Sequence, residues 1–402
     1  MTTRQRQPFV PLTEVEHSAF CRPEDELPAK SLAEEMAINV RWQKIPPEYL
    51  HYTAEQLDDK IAQVRKKLGT QVTILGHHYQ REEIIRYADF QGDSFLLSQE
   101  AASRPDAEYI VFCGVHFMAE TASILSGSHQ KVILPNITAG CSMADMAPME
   151  DVEDAWEDLQ SVLGGHGGIT PVTYMNSIAG IKALCGRNNG AVCTSSNATQ
   201  VLEWAFGQTD RVLFLPDQHL GRNTALKLGI PLDKMVVWNP FKPLGGNTEG
   251  QLRNAKMILW QGHCSVHTRF TVGQIESARQ RIPNVTVLVH PECPMETVEA
   301  ADINGSTELI RKLVNESPPG SAWAIGTEIS LVNRLALNNP DKTVVCLDPV
   351  SCPCSTMYRI HPAYLLWVLE GLSEGHILNE ISVSDDVRRD SMVALERMLS
   401  LK

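Results

Sequence analysis

Ser351-Cys352-Pro353-Cys354-Ser355-Thr356-Met357 sets two thiols two positions apart around a proline, shortly after the apolar run Thr343-Val344-Val345-Cys346-Leu347. Proline fixes its own backbone and cannot continue a regular element, so the stretch reads as a constrained turn that presents sulfur rather than as core filling. Two other stretches have the same form. Gly140-Cys141-Ser142 and Gly262-His263-Cys264-Ser265-Val266-His267 each place a cysteine near a glycine after an apolar run. Whether these thiols meet decides how the chain is divided.

Working back from this turn, short β-rich runs alternate with helical patterns from residue 70 onward. The runs are 72–75, 109–112, 131–134, 171–174, 191–193, 212–215, 257–260, 285–289, 323–325 and 343–347. Helical patterns lie between them at 82–88, 93–103, 118–125, 177–184, 198–206, 271–281, 307–315 and 329–337. Such alternation predicts parallel sheets with crossover helices. The unusual polar residues follow the runs directly: Gly76-His77-His78-Tyr79, Asn176-Ser177, Thr194-Ser195-Ser196-Asn197, His290-Pro291-Glu292 and Gly326-Thr327-Glu328. Ligands in open α/β sheets bind beyond the carboxyl ends of the strands, where these residues sit.

The runs fall into three groups, ending at Cys141, Cys264 and Cys354. The expectation is an α/β protein with three similar three-layer α/β/α modules, each with a parallel sheet, in pseudo-threefold arrangement around a central cavity. The modules would span 68–145 (completed by C-terminal helices 360–402), 146–262 and 263–359. The plainer alternative is one large doubly wound sheet with a small domain. Residues 1–67 read as a helical extension that wraps the first module or mediates association. They carry Pro8, Pro11, Pro23, Pro28, Pro46 and Pro47, and a capping-box pattern at Thr53 and Gln56. The segment 239–254 reads as a surface loop.

Composition bounds the function. At 402 residues, 43% hydrophobic and 21% charged, the chain is globular and large enough for several cores. A net charge of −13 without a basic stripe argues against nucleic acid as a partner. A run long enough to span a membrane is lacking, as is an apolar leader, so a cytoplasmic enzyme is expected. The ten cysteines are scattered, which argues for reduced thiols rather than a disulfide framework. Cys113, Cys185, Cys193 and Cys346 lie in or beside apolar runs and read as core. The motifs C-x-x-C, GxGxxG and GxxxxGK[ST] are missing, which disfavours a zinc ribbon, a dinucleotide site and a P-loop.

Three thiolates from distant places suit an iron–sulfur cluster or a soft metal. A [4Fe–4S] cluster held by three thiolates leaves one iron open as a Lewis acid. A buried unreactive cysteine is the ordinary alternative at each position, and Cys352 competes with Cys354. Hydroxyls at Ser195, Ser306 and Thr307 stand where helices begin. They suit phosphate, although serine and threonine there are also the usual caps. His290 and Glu292 place an imidazole beside a carboxylate, an arrangement fit for acid–base work.

The chain resembles the quinolinate synthase family. The likeness is carried, over about residues 70–370, by Gly76-His77-His78-Tyr79-Gln80, Gln91-Gly92-Asp93-Ser94, His116-Phe117-Met118-Ala119-Glu120-Thr121 and Gly140-Cys141-Ser142-Met143-Ala144-Asp145. It continues through Tyr174-Met175-Asn176-Ser177, Cys193-Thr194-Ser195-Ser196-Asn197, Pro216-Asp217-Gln218-His219, Cys264-Ser265-Val266-His267, His290-Pro291-Glu292-Cys293, Gly305-Ser306-Thr307 and Cys354-Ser355-Thr356-Met357. The resemblance implies three modules around a [4Fe–4S] cluster. It also implies condensation of iminoaspartate with dihydroxyacetone phosphate to quinolinate, in NAD biosynthesis. An L-aspartate-oxidising enzyme would supply the iminoaspartate.

By the same resemblance Cys141, Cys264 and Cys354 are the cluster ligands, Cys354 being preferred because it stands three residues before Met357. His77, Ser94, Ser195, Ser306 and Thr307 would hold phosphate or carboxylate groups. Tyr79, Tyr174, Asn176, His290 and Glu292 would lie near the reacting carbons, with Glu292 and one tyrosine moving protons. Phe117 and Met357 would be apolar walls, and His267 a polar one. The chain departs from the family where many members carry an asparagine after this methionine and it reads Tyr358-Arg359-Ile360. Two other readings remain at this point: a cluster-dependent dehydratase acting on a hydroxy acid, and an iron–sulfur redox regulator, which would need a basic DNA-binding helix.

Overall fold

The computed structural model describes residues 16, 18–22, 30–165 and 168–401. Pro8, Pro11, Pro23 and Pro28 lie outside the described residues. The chain forms three separate sheets. The first contains β1 (Val72–His77), β2 (Phe90–Gly92), β3 (Tyr109–Cys113) and β4 (Lys131–Ile133). The second contains β5 (Thr170–Tyr174), β6 (Ala191–Cys193), β7 (Val212–Leu215), β8 (Met235–Trp238) and β9 (Met257–Trp260). The third contains β10 (Thr286–Val289), β11 (Ile303–Asn304), β12 (Ala322–Gly326) and β13 (Thr343–Cys346). A last strand, β14 (Glu380–Ile381), adds to β4 antiparallel; every other pairing is parallel.

The strand orders are β14-β4-β3-β1-β2, β6-β5-β7-β9-β8 and β11-β10-β12-β13. Each sheet therefore contains the same arrangement: its second strand beside its first, then its third, then the strand leading toward one of the cysteine loops. The second sheet adds β8 and the first adds β14, both at an edge. Parallel strands covered on both faces are continuous apolar runs rather than alternating ones. This is why the core strands Thr-Ile-Leu, Val-Leu-Phe-Leu and Met-Ile-Leu-Trp are fully buried.

The expected loop 239–254 is in part regular. A 3-10 turn spans Pro243–Gly246 and a helix spans Glu249–Asn254. The helix forms because Thr248 and Gln251 make a reciprocal capping box. The capping box expected at Thr53 starts the helix Ala54–Leu68, which packs on the helix Pro362–Ser373. The final helix Asp385–Ser400 lies instead on Ala179–Arg187 and β6. Its approach is so close that a Cβ on Gly186 would collide with the Asp390 carbonyl oxygen. The C-terminal stretch thus serves the first two sheets together.

The segment preceding β1 is fastened by buried polar contacts. Arg81, after β1, donates to both carboxylate oxygens of Glu35 at 2.9 and 2.7 Å, and its guanidinium lies 4.2 Å from the Tyr358 ring centroid. Both charged side chains are buried. Removing one partner of such a pair strands the other and costs about 3–5 kcal/mol. Phe20 packs on Tyr358 with ring centroids 4.7 Å apart, and Arg22 exchanges backbone hydrogen bonds with Ser351 at 2.9 Å each way. Among the described residues, no helix is long and apolar enough to cross a membrane.

Candidate active site

The loops after the strands line a cavity that opens to solvent, about 840 Å³ with its mouth included, and all three sheets contribute to its wall. β1 leads to His77 and Tyr79, and β5 leads to Tyr174 and Asn176. Ser195 follows β6, Cys264 and His267 follow β9, and His290 and Glu292 follow β10. Ser94, Phe117, Thr307, Cys354 and Met357 complete the expected set on the wall. Ser306 is not on the wall. It caps the helix Thr307–Glu316, its Oγ accepting from the Leu309 N–H at 3.3 Å.

Cys141, Cys264 and Cys354 all face this cavity as unpaired thiols. Their local settings repeat. Cys141 immediately precedes the short helix Ser142–Asp145, and its sulfur accepts backbone N–H groups of Ala144 and Met143. Cys354 precedes Ser355–Tyr358; its sulfur accepts from the Met357 and Thr356 N–H groups and lies 3.4 Å from the Thr356 hydroxyl. Cys264 precedes the 3-10 turn His267–Arg269 and accepts from the His267 N–H. Burial raises all three thiols, and Cys141 and Cys264 are raised further by nearby acidic groups and by the other cavity cysteines. Without a cation these sulfurs stay protonated. With one, the inward N–H groups stabilise thiolate, so the donor set fits an iron–sulfur cluster.

Cys352 is turned away. It forms a disulfide with Cys21, the two Cα atoms 4.1 Å apart across 331 positions of sequence. This corrects the expectation of reduced thiols throughout; Cys346 remains unpaired. Cys113, Cys185 and Cys193 are buried core residues, as expected, whereas Cys346 is half-buried.

Beside the thiols lies a hydrogen-bonded acid–base group. The Tyr174 hydroxyl donates to Glu292 Oε1 at 2.6 Å, and His267 Nδ1 is 2.8 Å from Glu292 Oε2. His290 stacks on His267 with ring centroids 4.3 Å apart. Burial works to raise the Glu292 carboxyl. The neighbouring His267 and His290 and the hydrogen bonds from His267 and Tyr174 outweigh it and hold Glu292 below the usual carboxylate range. Burial and the neighbouring His267 lower His290 to about 3, so it is neutral near pH 7. Burial, then the charge of Glu292, raises Tyr79 and Tyr174 well above the ordinary phenol value. The cavity therefore holds one fixed carboxylate, the neutral imidazole of His290 and two protonated phenols.

The ligand atoms of Cys264, His267 and Glu292 also lie within 4.8 Å of one another, close enough for a single ion. Both Glu292 oxygens are already engaged by Tyr174 and His267. A lone ion there would break these bonds and use only one of the three thiols. One residue of this network was not selected from sequence: Thr327, at the end of β12, within 2.8 Å of the Tyr79 hydroxyl and 3.1 Å of His267 Nε2. Its position after a strand is visible in Gly326-Thr327-Glu328, but its partners come from distant residues.

Three sheets of parallel core strands, whose loops bring three thiols, a carboxylate, imidazoles and phenols into one cavity, define an α/β protein with a cysteine-lined polar site. A family model described as "Quinolinate synthetase A protein" matches residues 59–400. The chain is 59% identical over 361 residues to a quinolinate synthase of Corynebacterium glutamicum, covering 90% of this chain and 91% of that protein. It is 52% identical over 356 residues to one of Herpetosiphon aurantiacus, covering 88% and 95%. A Nocardioides quinolinate synthase is 55% identical over 352 residues, covering 86% and 89%. The chain belongs to the quinolinate synthase family.

Proposed function

We propose that the chain is a cytoplasmic transferase of NAD biosynthesis that condenses iminoaspartate with dihydroxyacetone phosphate to quinolinate, releasing phosphate and water. The observation that carries this reading is the set of three similarly seated thiols opening on one cavity beside Glu292, Tyr174 and His267. Cys141, Cys264 and Cys354 are the residues that would hold a [4Fe–4S] cluster, which when bound supplies an open Lewis-acidic iron.

The chain's own residues do the rest. Ser94, Ser195 and Thr307 stand where helices begin, and free backbone N–H groups there favour phosphate and carboxylate. His77 and Asn176 add donors to the anionic substrates. Phe117 and Met357 give the cavity apolar walls that limit water. Glu292, ionised and held on both oxygens, is the proton acceptor. Tyr79 and Tyr174 are the phenols able to donate to a leaving hydroxyl, and His290 packs against His267 to keep the carboxylate's partner in place.

The modules 68–145, 146–262 and 263–359 are part of the proposal, with the extension 1–67 outside them. The recurring strand order supports three related units meeting at the thiols in pseudo-threefold fashion. An enzyme that oxidises L-aspartate is the class of partner able to supply iminoaspartate.

The test is to supply anaerobically purified protein with iminoaspartate and dihydroxyacetone phosphate and to measure phosphate and quinolinate. Equal amounts of both are expected. Absence of the pyridine product together with absence of phosphate release would end the synthase reading and favour a dehydratase that joins no second substrate.

A further inference from the structure

Arg334 lies on the helix Ile329–Asn338, which follows β12 of the third sheet. Helical spacing puts it on the inward side, beside the buried Leu331 and Leu335. An apolar residue would be the ordinary choice there. Burying a cation costs unless its N–H groups find partners, and all three nitrogens of this guanidinium do. Nη1 donates to the His78 carbonyl at 2.9 Å, Nη2 to the Gln80 carbonyl at 2.7 Å, and Nε to Glu82 Oε2 at 2.9 Å. None of these partners belongs to the third sheet; all three follow β1 of the first.

The two carbonyls flank Tyr79. Its hydroxyl is held from the same side, with Thr327 Oγ1, just after β12, 2.8 Å away and Thr307 Oγ1, just after β11, 3.1 Å away. The backbone turn and the phenol are thus both fastened to elements of the third sheet. The turn also sets His77. The Tyr79 N–H donates to His77 Nδ1 at 3.1 Å, and the two rings meet edge-on with centroids 4.9 Å apart. Burial, then the neighbouring His78 and Arg334, lowers His77 well below the ordinary imidazole value. The ring is therefore neutral, and with Nδ1 accepting, its proton sits on Nε2. His77 and Tyr79 both line the cavity, whereas Arg334 does not.

We propose that Arg334 is the positioning residue that fixes Tyr79 and His77 at the cavity wall, by fastening the turn that carries them to a helix of the third sheet. This rests on the reading of the cavity as the quinolinate-forming site. Arg334 touches no substrate and acts through the turn. A planar guanidinium offers N–H groups in a rigid fork that can meet two carbonyls at once; an ammonium keeps the charge without that geometry. A tie to Glu82 alone would need neither the burial nor the two carbonyls. Groups that bind or protonate a substrate work only when held in place, and a shift of about 1 Å costs about 10²-fold in rate.

Arg334→Met removes the fork, and Arg334→Lys keeps the charge and serves as the second variant should the first fail to fold. For Arg334→Met the expectation is unchanged visible absorption of the cluster, because the three thiols lie on other loops, and kcat for quinolinate lower by about 10²-fold. Arg334→Lys should fall between this variant and the unaltered protein. Full rate in either variant would overturn the proposal. A second reading is independent of turnover. With 3-fluorotyrosine in place of tyrosine, the 19F signals of Tyr79 and Tyr174 are identified by their loss in Tyr79→Phe and Tyr174→Phe. The Tyr79 signal should shift in both Arg334 variants while the Tyr174 signal stays. An unchanged Tyr79 signal would overturn the proposal. So would an equal shift of both signals, which would make Arg334 a general packing element. Unaltered protein that makes no quinolinate would count against the proposed reaction, while the 19F signals still decide the role of Arg334, so the two failures are separable.

Discussion

Cys354→Ala is expected to yield folded protein that has lost essentially all the visible absorption of a thiolate-bound cluster, while Cys352→Ala keeps it. The two sulfurs are two positions apart, but their surroundings are opposite. Cys354 faces the cavity, receives N–H groups from Met357 and Thr356, and has its own N–H held by the buried Glu328 carboxylate at 3.1 Å. Cys352 is joined to Cys21 and lies against the segment preceding β1. Three ligands are the whole protein share of such a centre, so losing one should empty it rather than weaken it. Losing Cys352 removes a covalent tie on the same loop and should affect stability more than cluster content. Absorption spectra of the two variants after anaerobic purification decide the matter; retention in Cys354→Ala with loss in Cys352→Ala would exchange the roles.

Glu292→Gln should keep the cluster and lose turnover by about 10²–10⁴-fold. The side chain is 2% exposed, with one oxygen accepting from Tyr174 and the other from His267. Glutamine has the same shape, but its NH₂ would face one of those donors, and it cannot take up a proton near neutral pH. Steady-state quinolinate formation at matched cluster content measures the effect. A variant with at least a tenth of the original kcat would make Glu292 a positioning group.

The central strands were legible because each is a continuous apolar run covered on both faces. Those not foreseen are β2, β8, β11 and β14, and all four are sheet edges. An edge strand has one neighbour and less burial, so its sequence carries a weaker signal. Met235-Val236-Val237-Trp238 is apolar, but it lies between Pro231 and Pro240 and is partly exposed over its first three residues.

At the site, the cysteine turns and the polar residues after strands could be read locally. Thr327 could not, because its meaning comes from Tyr79 and His267, which lie far away in sequence. The Cys21–Cys352 pair was hidden for the same reason. The departure at Tyr358-Arg359 also gains an explanation. Tyr358 packs against Phe20 and Arg81, and Arg359 donates to the Arg41 carbonyl at 3.1 Å. These residues seat the segment that precedes the first sheet.

We propose that Cys141, Cys264 and Cys354 together hold one [4Fe–4S] cluster. The most direct measurement is the iron and acid-labile sulfide content of the unaltered protein purified without air. About four irons and about four sulfides per chain are expected, the composition of such a cluster. Iron without sulfide, or zinc in its place, would contradict it.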